Sequence, residues 1–305
     1  MHNPLYQRDL ISINDLTAPE MQHIIEIAAR LKNHPQPHLM EQVLLANCFF
    51  EPSTRTKLSF EAAMYRMGGQ VIGFTDNGMT TSVKKGETLL DTVRVIGSYA
   101  DILVIRHPQE GAARLAADVI DKPVINAGDG ANQHPTQTLI DLYTIQECQG
   151  RITELHIAIC GDLKYGRTAH SLSLALAHYP IRLYFVAPES LALPDSITHE
   201  LKKRSVKFSF HKTLEEVIPK IDILYMTRLQ KERMEESPDL GKAFRLQHQM
   251  LTSAKKNLKI LHALPRVDEI ESKVDGTPFA YYFQQAANGV IVRMALLALI
   301  MGKLE

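Results

Sequence analysis

Val43-Leu44-Leu45-Ala46-Asn47-Cys48-Phe49-Phe50, followed by Glu51-Pro52-Ser53-Thr54-Arg55-Thr56-Lys57, decides how this chain is read. The first eight residues are almost all apolar, and they read as a buried strand. Leu58 to Met67 reads as a helix. Between them Ser53, Thr54, Arg55 and Thr56 place hydroxyls, a guanidinium and backbone N–H groups at a helix start. The first N–H groups of a helix lack intrahelical partners and its dipole is positive there, so such an end suits an anion. A phosphorylated small molecule is the expected ligand.

The same strand-then-helix alternation continues outward. Candidate strands are Val43–Phe50, Val71–Phe74, Ile102–Ile105, Val124–Asn126, His156–Cys160, Arg182–Val186, Val206–Ser209, Ile223–Met226 and Lys259–His262. Helical patterns lie between them; Leu89, Val93, Ile96 and Ala100 share one face. Ahead of them all, Thr17-Ala18-Pro19-Glu20 is a capping box with proline in the first turn. Alternation of this kind predicts an α/β protein with parallel sheets covered by helices on both faces. Nine strands are many for one sheet, so two doubly wound domains are expected. The boundary is placed at Gln149-Gly150, giving residues 1–149 and 150–284. The closing segment, Tyr281 to Leu304, is helical with a candidate break at Asn288-Gly289, and residues 285–305 are expected to complete the first domain.

Composition narrows the partners. Lys+Arg and Asp+Glu are both 34 in 305 residues, which argues against nucleic acid or an anionic membrane surface. An anionic ligand must then be met by local charge. Three scattered cysteines, Cys48, Cys148 and Cys160, form neither a metal-ligand pair nor a disulfide framework. Met1 to Asp9 is polar, and the most apolar run, Met294 to Met301, is far short of the about 20 residues of a membrane span. A cytoplasmic protein is expected, with no membrane partner.

In doubly wound folds ligands sit beyond the carboxyl ends of strands. The strand exits here carry Ser53-Thr54-Arg55-Thr56, Arg106-His107-Pro108, Gly128-Asp129-Gly130 with His134-Pro135-Thr136-Gln137, Gly161 to Arg167, Thr227-Arg228-Leu229-Gln230, and Ala263-Leu264-Pro265-Arg266. Taken singly each has a plain reading. Ser53 suits an N-cap, Arg106 and Arg266 suit ion pairs, and Lys84-Lys85 suits a solvated surface. Arg167 is less easily dismissed, because the dipole disfavours a cation at a helix start. The functional case is the joint occurrence of these cations and donors at strand ends. No G-x-G-x-x-G follows a strand, and no phosphate loop of the G-x-x-x-x-G-K-[ST] kind, H-E-x-x-H or G-x-S-x-G occurs.

These motifs, with Lys84-Lys85-Gly86-Glu87-Thr88 and His262-Ala263-Leu264-Pro265-Arg266, occur in the order of the aspartate/ornithine transcarbamoylase family, which the chain resembles over nearly its whole length. The resemblance implies transfer of the carbamoyl group of carbamoyl phosphate to an amino acid, L-aspartate on the branch these motifs favour, in de novo pyrimidine (UMP) biosynthesis. It implies carbamoyl phosphate on the first domain and aspartate on the second, no metal or cofactor, and a homotrimer with shared sites. Regulatory chains or dihydroorotase remain open as further partners. By motif, Ser53, Thr54, Arg55 and Thr56 would hold the phosphate. Arg106 would contact phosphate and carbonyl oxygen, and His134 would donate to that carbonyl. Gln137 and the Leu264 carbonyl, ahead of Pro265, would accept from the carbamoyl amine. Arg167, Arg228 and Gln230 would bind the aspartate carboxylates. Lys85 would reach in from a neighbouring subunit with a loop hydroxyl, Ser82 or Thr81, of which Ser82 is preferred. The ornithine branch fits less well: position 263 is Ala rather than Cys, no S-M-G occurs, and an amine-bearing substrate has no use for so many cations. A non-catalytic phosphate-binding subunit is disfavoured by the intact donor set.

Overall fold

A computed structural model of the chain describes residues 3–75, 86–228 and 244–305. The chain divides into two compact units, Met1–Leu139 with Asn288–Glu305, and Ile140–Ala287. Both divisions fall inside helices, α5 (Pro135–Gln149) and α8 (Tyr282–Ile300). The sequence reading put them at Gln149-Gly150 and at residue 285.

The first unit is built on a parallel sheet of order β2-β1-β3-β4: β1 (Leu44–Phe49), β2 (Gln70–Thr75), β3 (Ile102–His107) and β4 (Val124–Asp129). Successive side chains of a strand point to opposite faces. Ala46, Cys48, Leu103, Ile105 and Val124 therefore form one buried layer with Val93 of α3 (Leu89–Gly97) and Ala113 and Ala116 of α4 (Ala112–Ala117). Leu45 and Phe49 are buried on the other face. Burial on both faces is why β1 reads as an unbroken apolar run. The edge strand β2 alternates weakly and is mostly exposed.

Helix α1 (Ala18–Asn33) starts as its sequence predicts. Thr17 Oγ1 accepts from Glu20 N–H, the Glu20 carboxylate accepts from Thr17 N–H, and proline stands in the first turn. Helix α2 (Thr54–Arg66) starts at Thr54, four residues before Leu58, where the periodic pattern that announces it begins. Helix α8 runs unbroken through Asn288-Gly289, against the break expected there. Asn288 is 1% exposed, and Lys32 Nζ lies 3.5 Å from its Oδ1. Packing has overridden the local preference of the Asn-Gly pair. By length and composition α8 passes for a membrane span, but most of it is buried, as in a core helix.

The second unit carries a parallel sheet of order β7-β6-β5-β8-β9: β5 (His156–Cys160), β6 (Arg182–Val186), β7 (Lys207–His211), β8 (Ile223–Met226) and β9 (Lys259–His262). Ala158, Cys160, Leu224, Met226 and Ile260 pack against Leu214, Val217, Ile218 and Ile221. Helices α6 (Arg167–Leu176) and α7 (Asp195–Lys203) complete its regular elements among the described residues. All nine strands expected from sequence are present: β5, β6, β8 and β9 match end for end, and the other five differ by one to three residues at an end.

Candidate functional site

Each sheet has a point at which its strand order reverses. In the first unit β1 has β2 on one side and β3 on the other; in the second β5 has β6 on one side and β8 on the other. Connections leave such a strand pair in opposite directions, which opens a crevice at the carboxyl ends. The exits of β1 and β3 are Ser53–Thr56 and Arg106; those of β5 and β8 are Gly161–Arg167 and Thr227-Arg228. Arg55, Arg106, Arg167 and Arg228 thus stand at the strand exits beside the crevice of each unit.

In the first unit Phe49 and Arg106 are register partners, and Phe50 N–H donates to the Arg106 carbonyl at 2.8 Å. Ser53 holds the N-cap position of α2, but its side chain caps nothing, and no acid occupies the first turn. The first backbone bond of the helix runs from Lys57 N–H to the Ser53 carbonyl at 3.1 Å. The N–H groups ahead of it lie beyond that ladder. Arg55 makes no hydrogen bond or ion pair among the described residues. Arg106 is 9% exposed; Nη1 donates to the Ala127 carbonyl at 3.1 Å, Nη2 lies 3.3 Å from Glu51 Oε1, and the buried Nε has no partner among the described residues. Burial pulls the pKa of Arg55 below its ordinary value, and the charge of Arg106 adds to that. Burial lowers Arg106 as well, against the raising effect of Glu51. Two guanidiniums, one of them depressed by the charge of the other, against a single carboxylate paired with Arg106, leave a local excess of positive charge that suits an anion.

His134 sits at the start of α5, 5% exposed, with the Thr136 hydroxyl 3.4 Å from its Nδ1. The loop that presents it is gathered by one carboxylate that sequence reasoning left without a role. Asp129 accepts from Gly111 N–H (2.9 Å), Asn126 Nδ2 (2.8 Å), Asn132 Nδ2 (3.0 Å) and Gln133 N–H (3.1 Å). Gln137 follows one turn later, and its N–H donates to the His134 carbonyl at 3.0 Å. Arg293, also unanticipated, is 3% exposed. It lies over the Phe60 ring at 4.7 Å, donates to Ser59 Oγ at 2.7 Å and reaches Thr136 Oγ1 at 3.4 Å. It therefore ties α2 to the start of α5. A lone cation inside the most apolar helix of the chain was its sequence signal.

In the second unit Gly161 has φ 122°, and a Cβ there would meet Thr227 Oγ1 at 2.4 Å, so only glycine lets the two strand exits close up. Thr227 N–H and Oγ1 donate to the Cys160 carbonyl at 2.8 and 3.0 Å. Asp162 Oδ1 accepts from Lys164 and Tyr165 N–H, shaping the turn into α6. That helix begins at Arg167 after Gly166, with no side-chain cap and no acid in its first turn. Arg228 follows Thr227 out of β8, which lies beside β5.

The exit of β9, the neighbour of β8, is the turn at Leu264-Pro265. Its peptide bond is cis, and Leu264 has φ 57°. A left-handed non-glycine residue costs about 1–3 kcal/mol and persists where the surroundings hold it. Arg266 takes the plain reading: it pairs with Asp275 and stacks over Tyr282 at 4.9 Å. Ser82, Lys85 and Gln230 lie outside the described residues.

Comparison with known proteins agrees with this geometry. Residues 8–147 match the family model described as aspartate/ornithine carbamoyltransferase, carbamoyl-P binding domain, and residues 153–300 match the Asp/Orn binding domain of the same family. The chain is 57% identical to the aspartate carbamoyltransferase catalytic subunit of Vibrio campbellii, over 99% of each. Its structure is similar to the catalytic subunit of M. jannaschii aspartate transcarbamoylase, with TM-score 0.90, 47% identity, and 95% of this chain and 97% of that one covered. It is also similar to Trypanosoma cruzi aspartate transcarbamoylase in complex with N-(phosphonacetyl)-L-aspartic acid, with TM-score 0.92, 36% identity and 98% of each chain covered.

Proposed function

This chain belongs to the aspartate/ornithine carbamoyltransferase family, and from that premise we propose that it transfers the carbamoyl group of carbamoyl phosphate to L-aspartate, giving N-carbamoyl-L-aspartate and phosphate in pyrimidine biosynthesis. The observation that carries this reading is the convergence of two cations on the exits of adjacent strands: Arg55 in the uncapped first turn of α2 after β1, and buried Arg106 on β3, whose charge adds to the depression of Arg55. Residues 1–149 with 285–305 take carbamoyl phosphate, and residues 150–284 take aspartate.

Ser53, Thr54, Arg55 and Thr56 receive the phosphate oxygens at the helix start. Arg106, His134 and Thr56 face the carbonyl oxygen, where negative charge grows as the deprotonated aspartate amine attacks the carbonyl carbon. Pre-aimed donors of this kind are each worth about 3–4 kcal/mol when removed. Gln137 and the Leu264 carbonyl accept from the carbamoyl amine, and Pro265 fixes the turn. Arg167, Arg228 and Gln230 hold the aspartate carboxylates. The bond to the phosphate oxygen breaks, and the leaving phosphate takes the amine proton, so the step calls for no protein base, metal or cofactor. Holding two anions in attack geometry supplies up to roughly 7–11 kcal/mol.

The enzyme is a homotrimer whose sites are completed by Lys85 and Ser82 of a neighbouring copy. Large apolar side chains left exposed on the first unit support self-association: Leu58 and Tyr65 on α2, Ile72 on β2, Val95 on α3, and Tyr99. It works in the cytoplasm. Its cysteines are free, and burial pushes the Cys48 thiol up to about 12, which keeps it inert. The test is phosphate release from carbamoyl phosphate with aspartate or with ornithine. Turnover with aspartate alone is expected, and turnover with ornithine alone would overturn the reading. Mixing inactive Arg55→Ala and Lys85→Ala chains should restore activity if sites are shared. Mass in solution, alone and with regulatory chains or dihydroorotase, tests for further partners.

A further inference from the structure

The strained turn at Leu264 is held by a buried pair that the transfer chemistry does not itself use. Leu264 N–H donates to His262 Nδ1 at 2.8 Å, and His262 Nε2 lies 2.8 Å from Glu269 Oε1. Both side chains are 3% exposed. A carboxylate can only accept, so the His262 proton stays on Nε2, and Nδ1 is bare to accept from Leu264. The second Glu269 oxygen accepts from Val267 N–H at 2.9 Å and Asp268 N–H at 3.1 Å. One carboxylate thus fastens both ends of the turn. The His262 backbone is fixed too: its N–H donates to Gln285 Oε1 at 2.7 Å, Gln285 Nε2 donates to Asp141 Oδ1 at 2.7 Å, and the Tyr225 hydroxyl donates to Asp141 Oδ2 at 2.9 Å.

Many buried His–Glu pairs only hold a fold together. This one ends on the N–H of a single left-handed residue, Leu264, and so sets the orientation of the following carbonyl. We infer that Glu269 and His262 are positioning residues for recognition of the carbamoyl amine: Glu269 fixes the His262 tautomer, and His262 aims the Leu264 carbonyl. The inference rests on the reading of Leu264 given under Proposed function.

Acetyl phosphate separates the two. It carries a methyl group where carbamoyl phosphate carries its amine, so it cannot donate to the Leu264 carbonyl. The wild-type enzyme should bind carbamoyl phosphate more tightly than acetyl phosphate, measured as KM against the inhibition constant. Glu269→Gln keeps the size of the side chain but offers an amide donor that permits the other tautomer, as when a buried carboxylate beside a histidine is amidated. It should lose about three- to tenfold of that preference, the worth of one misaimed hydrogen bond. Its acetyl phosphate constant should stay within about twofold, since the phosphate donors are untouched. Nitrogen NMR of labelled histidine should show His262 protonated at Nε2 in the wild type and at Nδ1 in a substantial fraction of Glu269→Gln. His262→Asn, whose amide oxygen can accept from Leu264 N–H, should keep more preference than His262→Ala, and this pair decides the matter if Glu269→Gln does not fold. A variant that changes tautomer yet keeps full preference and kcat overturns the inference. So does a wild-type His262 protonated at Nδ1, or an unchanged tautomer in Glu269→Gln. Absence of any preference for carbamoyl phosphate in the wild type overturns the reading of Leu264 instead.

Discussion

Helices α1 and α2 of the first unit both begin on a hydroxyl residue, and they use it in opposite ways. Thr17 closes α1 with a reciprocal bond to Glu20, and Arg8 pairs with the same carboxylate. Ser53 occupies the same position on α2 and bonds no backbone N–H. One start is satisfied from within the chain. The other keeps its hydroxyl, its N–H groups and the Arg55 charge for something else, and Arg106 at the neighbouring strand exit adds to that charge. The difference separates a hydroxyl spent on capping its own helix from one of the same type that caps nothing, which is the one proposed to meet phosphate.

The comparison can be broken most sharply at Arg55. Arg55→Ala should lower kcat by about 10²–10³-fold, while unfolding stability stays the same or rises, because repulsion with Arg106 is relieved. Parallel losses of activity and stability would place Arg55 on the structural side. Ser53→Ala should weaken kcat/KM for carbamoyl phosphate by about ten- to a hundredfold, as for a hydrogen bond to a charged group, with stability changed by less than about 0.5 kcal/mol. Thr17→Ala should do the reverse, removing about 1 kcal/mol of stability and leaving activity alone. Denaturant titrations of the two variants, paired with initial rates, show whether the two starts differ as claimed.

The smallest expected effect concerns pH. Burial raises the pKa of Glu20, but hydrogen bonds from Thr17 and Arg8 outweigh it and hold the carboxyl below its ordinary value. A depressed carboxyl contributes stability that is present above its unfolded pKa of about 4.3 and is lost as pH falls through the lower folded value. Stability should therefore decline more steeply below about pH 4 in the wild type than in Glu20→Gln. The first turn of α2 holds no carboxylate, so it adds nothing to this slope.

Much of this was legible in the sequence because it is local. The α1 capping box, the apolar strand runs and the donors at strand exits each lie within a few residues of one another. The start of α2 was less so, since Thr54, Arg55 and Thr56 carry no apolar period, and the helix begins there ahead of the periodic pattern from Leu58. The passage of α8 through Asn288-Gly289, which burial enforces, was not. Arg293, Asp129 and the Glu269–His262 pair act through partners that only the fold assembles; Arg293 reaches back to Ser59. Both unit divisions fall inside continuous helices, where no shift in composition marks them.

The most direct test of the central claim is the unfolding midpoint of wild type and Arg55→Ala, each with and without saturating carbamoyl phosphate. A ligand that binds only the folded state at about a hundred times its Kd adds about 2.7 kcal/mol. The account predicts a rise of several degrees in the wild type, little or none in Arg55→Ala, and ligand-free midpoints that match or favour the variant. An equal rise in both, or a ligand-free variant that melts well below the wild type, would contradict it.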